Sequence, residues 1–335
     1  MNTIKILFCI LIINVQIDAQ AVSKNILVEH FTNTRCSVCA SRNPGFYAAK
    51  KQKPDVLHIA YHPSSPYSNC LFNTQNKVEN DARTNHYGLY GGTPTFCING
   101  DIKSSNAVQN STVYTPYENQ TSPISVDVKI SPSGSDSIRV LVEVKAVSTH
   151  SLGNLSLYVP IIEDTVFYNA PNGEKQHYDV FRKSFTGVNA ISFNAPVVGG
   201  SSFIYAAKIL KNPLWNSKRL SAVAIVSAMD KSVIQTAQSD LYSDAVLNSL
   251  NENIKNDVQL TLYPNPSLNN LNIRVDESFI GESYFIYNLL GNVIKKEVIY
   301  LIDTVIDLSD FPVGIYIVKA GFEPNVISRS FSKIK

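Results

Sequence analysis

Two cysteines two residues apart constrain the fold most, because they sit where a buried strand gives way to a helix: "NILVEHFTNTRCSVCASRNP", residues 25–44. The run "ILVEHF" is apolar and β-branched, as in a buried strand. A helix is expected to follow, through Tyr47 to about Lys51. When such a pair opens a helix, the first sulfur faces solvent at the positive end of the helix dipole. Its thiolate is stabilised there and attacks disulfides at moderate pH. The second sulfur lies one turn in, close enough to close the ring. Cys36 is therefore expected to be the exposed, reactive member and Cys39 the shielded one, with Arg35 adding positive charge if it turns toward the sulfur. Three chemistries remain open for the pair: a redox couple, half of a metal site, or a structural staple.

The compartment narrows these. The chain opens "MNTIKILFCILIINVQIDAQA", with one lysine, an apolar run from Ile6 to Val15, then small and polar residues. That is the pattern of a secretory signal peptide over 1–19, with Ala19 as cleavage residue. Cys9 lies inside the apolar run, which does not suit a lipid anchor. No later stretch approaches the ~20 apolar residues of a membrane helix. Four cysteines then remain, Cys36, Cys39, Cys70 and Cys97, an even count that permits two disulfides in an exported protein. Cys97 reads as a small buried hydrophobe in a strand, with a bond to Cys70 as the alternative. Zinc needs four ligands; Cys70, Cys97, His58 and His62 are too irregularly spaced, so neither metal nor cofactor is expected. The formal net charge of +2 gives no field for nucleic acid. No GxSxG, HExxH or P-loop pattern occurs.

Along the chain, "DVLHIAYH" reads as a second strand, with His58 and His62 packed on one face. Residues 73–87 are polar and helix-compatible. "TPTFCING" is a third strand ended by Asn-Gly-Asp, a hairpin turn signal, and "NSTVYTPYENQ" is a candidate closing helix. From Ser125 to about Asp240 strand-like runs follow without helical periods, as in an antiparallel sandwich. From Leu260 short strands return in a last small all-β unit.

Residues 26 to about 120 resemble a thioredoxin-like domain, through "F…CxxC…P" from Phe31 to Pro44 and "GGTPTF…NGD" from Gly91 to Asp101. With its β-rich partner the pattern is similar to the 28-kilodalton outer-membrane-protein family of Bacteroidetes. The resemblance implies a cis Thr93–Pro94 bond beside the cysteines, with Pro94 in the catalytic set and Thr93 at the substrate edge; Arg35, beside Cys36, is also expected at that edge. It departs in placing Arg35 where an aromatic residue is usual, Ser37-Val38 between the cysteines, and His30 or Glu29 where an acid often sits beneath the site. "LYPNPSLNNLNIRV", "FIYNLLGNVIKK" and "IDLSDFPVGIYIVKA" resemble, in order, the type A C-terminal sorting domain of the type IX secretion system. That resemblance implies the secretion machinery as partner, transport across the outer membrane of a Gram-negative cell, and attachment to surface lipopolysaccharide or release.

The expected architecture is thus α+β and multidomain: signal peptide 1–19, thioredoxin-like domain 20–122, β-sandwich 123–245, linker 246–258 and sorting domain 259–335. The expected function is an exported thiol-disulfide oxidoreductase acting through Cys36 and Cys39 on a protein disulfide. The alternative is a surface binding or adhesion protein whose cysteine pair is a staple.

Overall fold

The computed structural model describes residues 21–89, 92–243, 260–276, 279–321 and 326–335. The signal segment and the linker expected from the sequence lie outside the described residues. The described chain is mostly β, arranged in several sheets, with a C-terminal β domain.

Strand β1 (Val22–Ser23) pairs with β6 (Thr121–Ser122) and ties together the two ends of the N-terminal segment. Between them, β2 (Leu27–Phe31) runs parallel to β3 (Leu57–Tyr61) and antiparallel to β4 (Thr95–Ile98). A parallel pair needs a crossover, which α1 (Ser37–Lys51) supplies. Lys50 and Lys51 in its last turn complement the dipole. The polar stretch 73–87 forms two helices, α2 (Leu71–Gln75) and α3 (Lys77–His86). Asn76 separates them with extended φ of −155°, and its side chain exchanges hydrogen bonds with Glu79 at the start of α3. An N-cap of this kind starts a new helix rather than continuing the old one. Asn99 (φ 48°) and Gly100 (φ 97°) turn β4 into β5 (Asp101–Lys103), as Asn-Gly does in two-residue hairpins. The expected closing helix is a short 3-10 helix, Ser111–Tyr117, containing Pro116.

In the middle segment, β7 (Ile124–Ser133), β8 (Ser137–Ala146) and β13 (Ser202–Leu210) form a three-stranded antiparallel sheet. The other strands are β9 (Asn154–Tyr158), β10 (Pro160–Phe167), β11 (Gln176–Ser184), β12 (Ile191–Asn194), β14 (Leu220–Ser227) and β15 (Val233–Gln238). They join β2–β5 in one ten-stranded mixed sheet. Its hydrogen bonds run across the division expected at 122/123, because β11 pairs in parallel with β3 at Val180 and Ala60.

All eight residues of β14 are buried, since both faces are covered. Ala222, Ala224 and Val226 face one core with Val140, Val142 and Val144. Val223 and Ile225 face a second core with Leu27, Phe31, Ile59 and Tyr61. The C-terminal domain has its own core. Its first sheet joins β16 (Leu260–Tyr263), β17 (Asn270–Val275) and β20 (Asp303–Asp307). Its second joins β18 (Ser283–Asn288), β19 (Val293–Val298), β21 (Gly314–Ala320) and β22 (Ile327–Lys333). Leu271, Ile273, Tyr284, Ile286, Val318 and Phe331 fill the space between.

Candidate functional site

The turn from β2 into α1 is organised by Asn33. Its Oδ1 accepts from the Arg35 N–H (3.0 Å) and its carbonyl from the Cys36 N–H (3.0 Å). Its Nδ2 donates to the carbonyls of Pro63 (3.0 Å) and Tyr67 (3.1 Å). The sequence did not single out Asn33; an Asn at the end of a buried strand, just ahead of a helix, is the signal available. Cys36 is the N-cap of α1, and its Sγ accepts from the Cys39 N–H at 3.0 Å. One unpaired N–H of the helix N-terminus thus points at this sulfur, an arrangement that favours negative charge. Cys36 and Cys39 are joined by a disulfide.

Thr93 and Pro94 lie beside the pair. Their peptide bond is cis, and the Thr93 carbonyl oxygen is 3.5 Å from Cys36 Sγ. Thr93 Oγ1 is buried without a partner. Arg35 is exposed but its Nε donates to the Asn69 carbonyl at 3.0 Å, so its guanidinium is tethered to the neighbouring loop.

Exposure departs from expectation. Cys36 is only 3% exposed and Cys39 fully buried, although Arg35, Ser37 and Val38 around them are exposed. The tip of the β10–β11 hairpin lies against the backbone of this turn. Asn172 Nδ2 lies 3.1 Å from the Cys36 carbonyl and 3.3 Å from that of Asn33, and the Asn172 N–H donates to the Thr34 carbonyl (3.2 Å). Glu174 accepts from Asn172 Nδ2 (2.6 Å) and from Nδ2 of Asn43 (2.7 Å), on the buried face of α1.

Beneath α1 lie buried histidines. His30 stacks on Phe96 (4.2 Å between centroids) and touches Phe46. His58 Nδ1 meets Asp179 Oδ2 at 2.8 Å, and His58 Nε2 meets His30 Nδ1 at 3.4 Å. With both rings neutral, the His58 Nδ1 N–H donates to Asp179 Oδ2 and His58 Nε2 accepts from the His30 Nδ1 N–H. His30 Nε2 is buried, and the Asn43 side chain is its polar neighbour. Burial holds His30 well below the usual histidine range, with His58 adding to the effect. Burial also lowers His58, against the opposing pull of Asp179, and His62.

Deeper still, Arg83 grips Glu29 through two hydrogen bonds of 2.6 and 2.9 Å and lies over the Tyr158 ring. Cys70 and Cys97 are buried and unbonded to each other. Burial, with Glu29 next in effect, pushes the Cys97 thiol up; Cys70 Sγ is 3.2 Å from Thr34 Oγ1. Among the described residues, no three His, Cys, Asp or Glu side chains converge as a metal cage.

Among solved structures, the chain is similar to HBP35 of Porphyromonas gingivalis. The TM-score is 0.55 and the identity 18%, over 94% of this chain and 99% of that one. At that identity the likeness is one of fold. A domain of the outer membrane lipoprotein Omp28 from the same organism aligns at TM-score 0.28 and 18% identity, over 36% of this chain and 89% of that one. No curated protein matches the chain. Residues 261–333 match the family model described as Secretion system C-terminal sorting domain. The C-terminal β domain is therefore a sorting domain handled by the type IX secretion machinery, and the protein is secreted or held at the cell surface.

Proposed function

We propose that the protein is an exported thiol-disulfide oxidoreductase whose N-terminal segment, 20–122, is thioredoxin-like. The observation that carries this reading is the Cys36–Cys39 disulfide at the start of α1, with the Thr93 carbonyl of a cis-proline loop 3.5 Å from Cys36 Sγ. The backbone of Thr93 and Pro94 offers an edge along which an extended peptide can be held. In the reduced protein, the Cys36 thiolate attacks a substrate disulfide. The substrate S–S bond breaks, a mixed disulfide forms, and one substrate sulfur leaves as a thiolate that takes a proton. Cys39, deprotonated, then attacks Cys36 Sγ and releases the second substrate thiolate. The substrate gains two electrons and the protein returns to its disulfide. Run backwards, the same steps oxidise a substrate dithiol. Segment 123–245 is the β-rich partner domain in this reading, and Arg35 flanks the substrate edge.

Burial of the pair favours one other reading, a surface binding protein in which the disulfide is a staple. Insulin reduction with dithiothreitol as electron source separates the two. The oxidoreductase reading expects catalysis by wild type, none by Cys36→Ser, and a trapped mixed disulfide with Cys39→Ser. Absence of catalysis by wild type, with a disulfide that resists dithiothreitol until the protein unfolds, would leave the staple.

A further inference from the structure

We propose that Asn172 and Glu174, at the tip of the β10–β11 hairpin, are positioning residues of the Cys36–Cys39 pair: Asn172 closes the approach to Cys36, and Glu174 biases the pair toward the disulfide. The inference deepens the oxidoreductase reading and rests on it for its biological meaning, though not for its chemistry.

Asn172 lies 136 positions from Cys36 in the chain, yet its amide reaches the Cys36 and Asn33 carbonyls while its backbone N–H holds Thr34. Three carbonyls of the turn that carries Cys36, those of Asn33, Thr34 and Cys36, thus face one residue. The hairpin tip is itself braced. The Ala170 N–H donates to the Glu174 carbonyl (2.8 Å), the Gly173 N–H to the Ala170 carbonyl (2.9 Å), and the Glu174 N–H to Asn172 Oδ1 (3.2 Å). Gly173 takes φ of 94°, which glycine adopts without strain. A braced tip thus lies on the backbone of the turn whose Cys36 is buried between exposed neighbours. A thiolate must approach along the S–S axis to displace Cys39, so a covered sulfur reacts only when the cover lifts.

Glu174 acts on the equilibrium. Its carboxylate is two hydrogen bonds from the Cys36 carbonyl through Asn172, and one from Asn43, a turn beyond Cys39. The reduced pair carries negative charge whenever Cys36 is a thiolate; the disulfide carries none. A fixed negative charge nearby therefore disfavours the reduced form. Arg35, the cation of the turn, is tethered to Asn69.

Glutathione and the full exported chain provide the test. One glutathione thiolate attacks Cys36 Sγ, the Cys36–Cys39 bond breaks, and Cys39 leaves as a thiolate that takes a proton. A second glutathione thiolate attacks the mixed disulfide, releasing Cys36 and forming oxidised glutathione. Asn172→Ala should speed this reduction about fivefold, as one lost hydrogen bond does to a closed–open equilibrium. Glu174→Gln should shift the equilibrium toward the dithiol by about threefold, the effect of one partly screened charge at this range. Glu174→Asp keeps the charge and should stay near wild type. Lys175→Gln, on the exposed side of the tip, should change neither quantity. Asn172→Ser takes the place of the alanine variant if that one unfolds.

Wild-type rates in the Asn172 variants, or a wild-type equilibrium in Glu174→Gln, would overturn the corresponding role. Should wild type fail to reduce insulin while these shifts appear, the oxidoreductase reading falls and the inference stands. Should wild type reduce insulin while the variants shift nothing, the inference falls alone.

Discussion

Single residues carry most of the pH response. His30, His58 and His62 are buried, and burial holds each below the ordinary histidine value of 6.5. His86, half-buried beside Arg83, is pushed down to about 4 by burial first and that charge second. In the unfolded chain these rings take protons near 6.5, whereas in the folded chain they resist until lower pH. Between the two values the unfolded state binds more protons, so stability rises with pH there. The contribution is fully present above about 6.5 and is lost as pH falls through the folded values. Thermal melts from about pH 7.5 down to about pH 5 should show a falling midpoint. His30→Phe keeps a ring against Phe96 and removes one titrating group, so its melts should depend less on pH. An unchanged slope in that variant would remove His30 from the account. The sequence placed His58 and His62 packed on one face of a strand; the Asp179 partner of His58 came only with β11.

Among elements, the β4–β5 hairpin shows how one position is decided twice. Gly100 has φ of 97°, and a side chain there would place its Cβ 2.5 Å from the Lys231 carbonyl oxygen, just before β15. Gly134, in the β7–β8 turn, has φ of 66° and open space around it. Gly134→Ala should cost ~1 kcal/mol, the strain of a left-handed alanine. Gly100→Ala should cost about 3 kcal/mol or more, because backbone must also move. Urea unfolding of the two variants side by side measures the difference, and equal losses would show that the Lys231 turn yields freely. The Asn-Gly turn itself was legible from the dipeptide. The crowding was not, since Lys231 is far along the chain. The split between α2 and α3 is the reverse case: Asn76 and Glu79 spell out an N-cap that a polar stretch conceals.

For the whole molecule, the decisive feature is that the ten-stranded sheet spans the N-terminal and middle segments. Tyr158, Ile162, Phe181 and Val223 share a core with Leu27, Phe31, Ile59 and Tyr61. The Arg83–Glu29 pair is roofed by Tyr158. A fragment of residues 21–122 would expose this apolar face and leave the edge of β3 without β11, a template for aggregation. It should fail to fold, whereas residues 21–243 should unfold in one cooperative transition by calorimetry. A soluble, protease-resistant 21–122 fragment would show that the first core is self-sufficient. Composition changes sharply near residue 122, from alternating helix and strand to strands alone, but composition reports neighbours in sequence and not partners in a sheet.

By itself the sequence determined the local parts: the strand–cysteine–helix junction, the Asn-Gly hairpin, the strand runs of the middle segment and the trio of C-terminal motifs that match a sorting domain. These depend on side-chain periodicity and turn chemistry over a few residues, which a single chain displays directly. Tertiary structure alone decided that Cys36 is covered, that Asn172 and Glu174 hold its turn, that Asp179 orients His58, and that two segments share one sheet. Each is a contact between groups roughly a hundred or more positions apart. A polar side chain in a loop has the same local signature whether it ends in solvent or against a disulfide. Only the closing of the sheet, which brings β11 beside β3, selects between the two.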